Sequence, residues 1–287
     1  PLNYNSGSSG SCIEGIKFIN TNWEYILKMD EDIVLDKNCL QEMIQTANKS
    51  IYDGMIGGKV LFYNQRDKIH AIGSYLNPFF AIAKGIGVNK KDSNKFRISK
   101  NFDGVSGCMV LIPKSIYTKV GWFDNDYFLY YDDHDLMYKS TKAGFRHIYS
   151  PKAIGYHDTA TGNKKKYANQ KWLYFSTRGS LLFLKKNFKA FSIKYLIYLI
   201  SHNLKFLIGL LFLFIYSKNN KILKNLKLYF LGFWHGLINK GGYFDIDNEK
   251  LKILIFCGGR GGQQLGNGIN EYLGKINKNL EINYIIN

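Results

Sequence analysis

Apolar residues in this chain fall in short runs separated by polar breaks, and the period of each run predicts an element. The polar, small-residue stretch Asn5-Ser6-Gly7-Ser8-Ser9-Gly10-Ser11 reads as a loop; from Cys12 to Phe18 apolar positions recur at helical spacing. Trp23 to Met29 reads as a short buried strand that stops at Asp30-Glu31-Asp32, and Asp36 is placed to cap a helix running to about Thr46. Met55 to Tyr63 is a second strand, in which Gly57-Gly58 allows another backbone to come close. Asn64 to Lys100 has no clear period and reads as a long polar excursion. Val105 to Ile112 is again apolar, closed by Pro113, with a short helix to about Val120 and a turn at Gly121. The aromatic approach Asp124 to Tyr131 leads to Asp132, a predicted N-cap for a helix through Ala143 that Gly144 ends. Phe145 to Tyr149 and Ala153 to Tyr156 are expected as two short strands, the second ending at His157.

The pattern changes at Lys164-Lys165-Lys166. Tyr167 to Lys186 predicts a basic, aromatic helix. Ile193 to Tyr216 is strongly apolar but interrupted by Ser201, His202, Asn203 and Lys205. Its unbroken part, Phe206 to Tyr216, is shorter than the ~20 apolar residues that a membrane span needs, which favours a helix lying in the interface or a re-entrant pair. Lys218, Lys221, Lys224 and Lys227 then form a basic stripe beside an apolar one. Anionic lipid is the expected partner of that stripe, with nucleic acid as the rival on charge alone. Finally Lys252 to Cys257, Gly258-Gly259-Arg260-Gly261-Gly262, Gln263 to Ile276 and Ile282 to Ile286 read as strand, phosphate-loop-like turn, helix and strand, one βαβ unit.

Composition narrows this picture. With 287 residues and 46% hydrophobic content the chain can bury a sizeable core as one large domain or two. The net charge of +17 is uneven, acids gathering before about residue 135 and lysines dominating after Lys164, so acid chemistry is expected in front and an anionic surface behind. Cys12, Cys39, Cys108 and Cys257 show no paired spacing, which argues against a disulfide framework or a zinc site and fits a reducing cytoplasm. No signal-peptide pattern opens the chain.

Three places carry candidate chemistry. A Gly/Ser loop running into a helix lets backbone N–H groups approach a phosphate, although a plain linker has the same composition. Asp30 and Asp32 can turn toward one hard cation, Mn²⁺ or Mg²⁺, which takes one or two carboxylates plus substrate phosphate oxygens; the alternative is a solvated acidic turn. Asp132, Asp133 and Asp135 crowd one helix start, where capping explains some acid but not three in four residues. Their repulsion and the aromatic wall should raise the proton affinity of at least one, and Asp133 is the candidate base. His157, at a strand end beside these acids, is either a structural histidine or a metal ligand.

Taken in order, Asn5-x-Gly7-x-x-Gly10 ahead of Gly15-Ile16, Asp30-Glu31-Asp32 after a strand, Ser106-Gly107-Cys108 and Val120-Gly121-Trp122-Phe123-Asp124 resemble family 2 glycosyltransferases of the GT-A fold. Phe128-Leu129-Tyr130-Tyr131-Asp132-Asp133-x-Asp135-Leu136, Gly144, Pro151-x-Ala153 and His157 complete the resemblance, which is greatest to rhamnosyltransferase-like and galactofuranosyltransferase-like members. It implies an α/β fold: a GT-A mixed sheet flanked by helices over residues 1–163, with the family's first βαβ unit absent. Amphipathic membrane-associated helices would follow over 164–245, and an incomplete C-terminal βαβ unit over 251–287.

The resemblance further implies an inverting, metal-dependent glycosyltransferase in cell-surface glycan synthesis. Gly7, Ser9, Gly10, Asp30 and Glu31 would bind a nucleotide-diphospho-sugar donor; Asp30, Asp32 (the DxD carboxylates) and His157 would hold Mn²⁺ or Mg²⁺. Asp133 would be the base, and Gly107, Cys108, Tyr131 and Asp132 would face a lipid-linked or polysaccharide acceptor. Asp132 stands where many members have Glu. The implied place is the cytoplasm, at the inner face of a bacterial membrane, with no nucleic-acid partner. The segment from Lys252 to Gly261 resembles the opening of 2-phospho-lactate transferase and gluconeogenesis-factor-like proteins, with a sugar-nucleotidyltransferase or dinucleotide-binding start as the rival. The reading from a different class is a basic module for membrane or nucleic acid without catalysis.

Overall fold

The structure, a computed structural model, describes residues 4–19, 22–51, 53–77, 82–158, 164–188, 197, 200, 221–246, 251–257 and 280–286. It divides into two units, 1–243 and 244–287. In chain order the first unit holds α1 (Gly7–Lys17), β1 (Tyr25–Met29), β2 (Ile33–Leu35), α2 (Cys39–Lys49), β3 (Ile56–Phe62), β4 (Gln65–Ala71), β5 (Gly73–Asn77) and β6 (Ile82–Ile86). There follow β7 (Lys100–Phe102), β8 (Gly104–Val105), β9 (Met109–Pro113), α3 (Lys114–Val120), α4 (Asp132–Lys142), β10 (His147–His157), α5 (Lys164–Asn187) and α6 (Lys221–Leu237).

The main sheet is mixed, in the order β1-β9-β3-β10-β2, with β4 against β3 and β7 against β10. β3 and β10 run parallel, whereas β9 is antiparallel to both β1 and β3. Side-chain alternation along β9 divides the core: Met109 and Leu111 pack with Cys39 and Met43 of α2, while Val110 and Ile112 pack with Ile116 of α3 and Leu136 and Met137 of α4. The result is a sheet between two helical layers. Gly57 and Gly58 are needed where β3 is crowded on both faces, since a Cβ there would lie 2.3 Å from the Val105 Cβ or 2.2 Å from the Met109 Cε.

Several elements differ from the sequence pattern. The Gly/Ser stretch is not a loop: α1 begins at Gly7, and Ser8 to Ser11 form its first turns. The excursion Asn64 to Lys100 is largely ordered as β4, β5, β6 and a 3₁₀ turn at Asn94–Phe96. Its anchor is the buried Lys59, whose Nζ donates to both Asp92 oxygens at 3.0 and 2.9 Å. The two strands expected after Gly144 are one strand, β10, whose register against β3 shifts between Ser150 and Ile154, around Pro151, which has no N–H to give the ladder. Asp132 is the first residue of α4 and Tyr131 its cap.

α5 and α6 pack closely. Gly232 and Gly236, one turn apart, bring α6 onto α5, because a Cβ would lie 2.6 Å from the Tyr174 carbonyl oxygen or 2.7 Å from the Leu181 Cβ. The buried Tyr174 hydroxyl and His235 Nδ1 are 2.5 Å apart between them. Among the described residues no helix is long and apolar enough to cross a membrane. The apolar stretch Ile193 to Tyr216 falls almost wholly outside the described residues. In the second unit, β11 (Leu251–Cys257) and β12 (Leu280–Ile286) pair in parallel, as the ends of a βαβ unit do; the glycine turn and helix expected between them lie outside the described residues.

Candidate functional site

The carboxyl end of β1, the end of β10, the turn before β9 and the N-termini of α1 and α4 open onto one cleft of about 1390 Å³, with α5 and α6 forming a further wall. Backbone bonds fix the acidic turn after β1: Asp30 N–H donates to the Cys108 carbonyl at 2.9 Å, and Asp158 N–H to the Asp32 carbonyl at 2.9 Å. The turn is thereby held between β9 and the end of β10. One donor atom each from Asp30, Asp32 and His157 lie within 4.8 Å of one another, and His157 Nε2 is 2.9 Å from Asp32 Oδ1. Lys28 reaches into the same corner, its Nζ donating to Asp30 Oδ1 at 2.6 Å and to the Gly107 carbonyl at 2.7 Å. Behind His157 stands His70, with the two Nδ1 atoms 3.3 Å apart. Burial, and then its neighbour His157, push the His70 imidazole down to about 4.

The approach to α4 is strained. Phe128, Tyr130 and Tyr131 have φ of 62°, 62° and 67°, the left-handed region that bulky side chains disfavour; such residues persist only where their surroundings hold them. The hold comes from the fully buried Arg178 of α5, whose Nη2 donates to the carbonyls of Tyr127 at 2.9 Å and Asp126 at 3.3 Å. Its guanidinium also lies over the Phe175 ring at 4.9 Å. Gly7, at φ +71°, closes on the same stretch, where a Cβ would lie 2.2 Å from the Phe128 carbonyl oxygen.

The three carboxylates of the helix start separate in role. Asp135 is buried and structural, accepting from the Tyr127 hydroxyl at 3.0 Å and Asn187 Nδ2 at 2.7 Å and pairing with Lys139 at 2.5 Å. Asp132 is 4% exposed; burial, and then the charge of Asp133, raise its proton affinity, while the Ser8 hydroxyl opposes the shift. Its Oδ2 has no hydrogen-bond partner among the described residues. Asp133 keeps 28% of its side chain exposed. Burial works to raise it, but His134 and Lys28 prevail and hold it below the usual carboxylate range. His134 provides both its N–H and Nδ1 to Asp133 Oδ1 at 2.8 Å, and Asp133 and Asp132 raise the imidazole against burial. Of the crowded acids, the one with raised proton affinity is therefore Asp132, since Asp133 has the cations.

Gly7, Asp30, Glu31, Asp32, Gly107, Cys108, Tyr131, Asp132, Asp133 and His157 all line the cleft. Ser9 and Gly10 do not; both are buried, and a Cβ on Gly10 would meet Ser6 and Asn125. Their neighbours Ser8, Ser11 and Cys12 line it instead. Sequence reasoning missed Lys28, His70, His134 and the α5 residues Trp172, Ser176 and Thr177. Lys28 and His70 sit in strands where nothing local distinguishes them from ordinary polar positions, and the α5 residues carry only a helical pattern.

The family described as "Glycosyltransferase like family 2" matches residues 3–173. The rhamnosyltransferase WbbL of Escherichia coli (strain K12) is 26% identical over 160 residues, 54% of this chain and 60% of that protein. The chain thus spans about three fifths of the length of that curated relative. Among solved structures, the crystal structure of GalNAc-T7 with UDP, GalNAc and Mn²⁺ aligns over 64% of this chain and 35% of that one, at 8% identity and a TM-score of 0.47.

Proposed function

The chain belongs to the glycosyltransferase-like family 2, and from that premise we propose that it is an inverting glycosyltransferase moving a sugar from a nucleotide-diphosphate donor to an acceptor hydroxyl. The observation that carries the reading is the meeting, in one cleft, of the Asp30, Asp32 and His157 triad with the half-buried carboxylate of Asp133. The cleft's volume of about 1390 Å³ exceeds the roughly 300–1,000 Å³ of a single-ligand pocket, which leaves room for donor and acceptor together.

Two carboxylates on a turn that opens to the cleft, with one imidazole from the end of β10, fit a hard divalent cation, Mn²⁺ or Mg²⁺. When bound, that ion neutralises the charge of the leaving diphosphate. The chain's own residues do the rest. Lys28, already between Asp30 and the Gly107 carbonyl, adds a fixed positive charge beside the diphosphate. Asp133 accepts the proton of the acceptor hydroxyl as that oxygen attacks the anomeric carbon from the face opposite the leaving group; His134 keeps the carboxylate ionised and oriented. Gly107 brings the backbone close beside Asp133, and Tyr131 and Asp132 complete the acceptor side. A second assignment of the base, to Asp132, is favoured by its raised proton affinity.

The acceptor in this reading is lipid-linked or polysaccharide, and the enzyme works at the inner face of a bacterial cytoplasmic membrane without nucleic acid. The net charge of +17 and the exposed Phe230 and Trp234, one turn apart on α6, support contact with an anionic membrane surface. The test is transfer from a panel of nucleotide-sugars with Mn²⁺ present. Asp133→Asn should abolish transfer and leave donor binding largely intact. Normal turnover in that variant with loss in Asp132→Asn would move the base to Asp132; normal turnover in both would sink the reading.

A further inference from the structure

The spacing of the cysteines gave no sign of a soft-metal site, yet the fold brings Cys108 beside two histidines from distant strands. One donor atom each from His70, Cys108 and His157 lie within 4.8 Å of one another, the second such triad among the described residues and one that shares His157 with the first. We infer that these three residues bind a thiophilic divalent cation of the Zn²⁺ class, as an alternative to the hard cation.

The two imidazole nitrogens, now within hydrogen-bonding distance of each other, are spaced as a zinc ion would need them. Bonds of ~2.0–2.1 Å in a tetrahedron place two ligand nitrogens about 3.3 Å apart, and the Nδ1 atoms of His70 and His157 are 3.3 Å apart. Their rings meet edge to face at 77°, so the two nitrogens converge without stacking. A metal-bound histidine usually donates its other ring N–H to a carboxylate, which fixes its tautomer. His157 already has that partner, Asp32 Oδ1, at 2.9 Å from Nε2. Cys108 supplies the sulfur, its thiol proton passing to solvent as the S–metal bond forms. Cys108 and His157 line the cleft, from which water would supply the fourth ligand. Two nitrogens and a thiolate suit Zn²⁺, whereas two carboxylates and an imidazole suit Mn²⁺ or Mg²⁺.

The two sites compete for His157. With His157 ligating through Nδ1, its Nε2 carries the proton given to Asp32 and has no lone pair for the hard cation. Zinc would therefore withdraw His157 from the first triad and leave the hard cation only the two carboxylates. This regulatory consequence rests on the proposed glycosyltransferase reading; the site itself does not.

The probe is Co²⁺ added to the whole chain, followed by absorbance. A thiolate-to-cobalt charge-transfer band should appear, saturate at one equivalent and vanish on addition of Zn²⁺. It should be absent in Cys108→Ser, and His70→Ala should weaken cobalt affinity more than about tenfold. In the unaltered chain, Zn²⁺ but not Mg²⁺ should protect Cys108 from alkylation, read by peptide mass, so the outcome does not hang on a variant's folding. Cobalt binding without a thiolate band, a band that survives Cys108→Ser, or unprotected Cys108 would overturn the site. A cobalt band with no Mn²⁺-dependent donor binding would refute the glycosyltransferase reading alone, and the converse would refute this site alone.

Discussion

Gly107→Ala is the substitution that most directly tests the placing of Asp133. A Cβ at this position would lie 2.1 Å from Asp133 Oδ2, 2.9 Å from its Cγ and 3.0 Å from its Cβ, where ordinary contact begins at 3.4 Å. Something must yield by more than an ångström. If Asp133 yields, its carboxylate leaves the two 2.8 Å contacts with His134. If the turn yields, it carries away the Gly107 carbonyl held by Lys28 at 2.7 Å and the Cys108 carbonyl that takes the Asp30 N–H. Either displacement is of the size at which reacting groups lose about 100-fold in rate, or about 2.7 kcal/mol of barrier. The fold should suffer little, because Asp133 is part-exposed and has the cleft to move into. Turnover should thus fall about 100-fold with the melting temperature nearly unchanged. Nucleoside diphosphate release measures the first and circular dichroism the second. Gly15→Ala is the control, since a Cβ there meets nothing within 4 Å. Turnover of a folded Gly107→Ala within about threefold of the unaltered chain would refute Asp133 as the proposed base.

Asp32→Ala should leave donor affinity the same with and without Mn²⁺ in calorimetry; a surviving metal dependence would remove Asp32 from the ligands. His147 is buried neutral, because its Nδ1 accepts the Met55 N–H at 3.2 Å while Nε2 faces the Met137 carbonyl at 3.1 Å. Burial lowers it from 6.5 against the pull of that carbonyl, so the unfolded chain binds the proton first and stability falls as pH drops below about 6.5. Its ring proton resonance should accordingly stay unshifted until acid unfolding begins, and a titration near 6.5 would contradict this environment. Arg178→Met should lower stability in urea by about 2–3 kcal/mol, the cost of stranding buried carbonyls; an unchanged midpoint would show that the left-handed turn holds itself.

What could be read from the sequence was local. The acidic turn after β1 and the acids at the start of α4 announce themselves because strand and helix ends are marked by neighbouring residues. β9 was visible from its run of apolar residues, although which residues face which layer needs the sheet. The long-range partners were not legible. His70 lies in β4, within a segment whose short strands and glycines gave no period, and it meets His157 only through the pairing of β4 and β10 with β3. The composition around Ser9 and Gly10 predicts a phosphate loop, yet small residues serve equally where a helix starts against a crowded aromatic turn. The crowding of Asp132 and Asp133 foretold a raised proton affinity but not its owner, because Lys28 reaches the site from another strand.

Gly232 and Gly236 have a bearing on how this cleft could be remade. Their missing side chains let α6 lie directly on α5, so neither helix can be exchanged for one with larger residues at the contact without the other. The wall residues Ser176, Thr177 and Tyr229 belong to that pair and lie beyond the 3–173 region matched by the family. The pair is in effect one interchangeable cassette: swapped as a unit, it would reshape one side of the cleft while the acidic turn after β1, His157 and the carboxylates of α4 remained as they are.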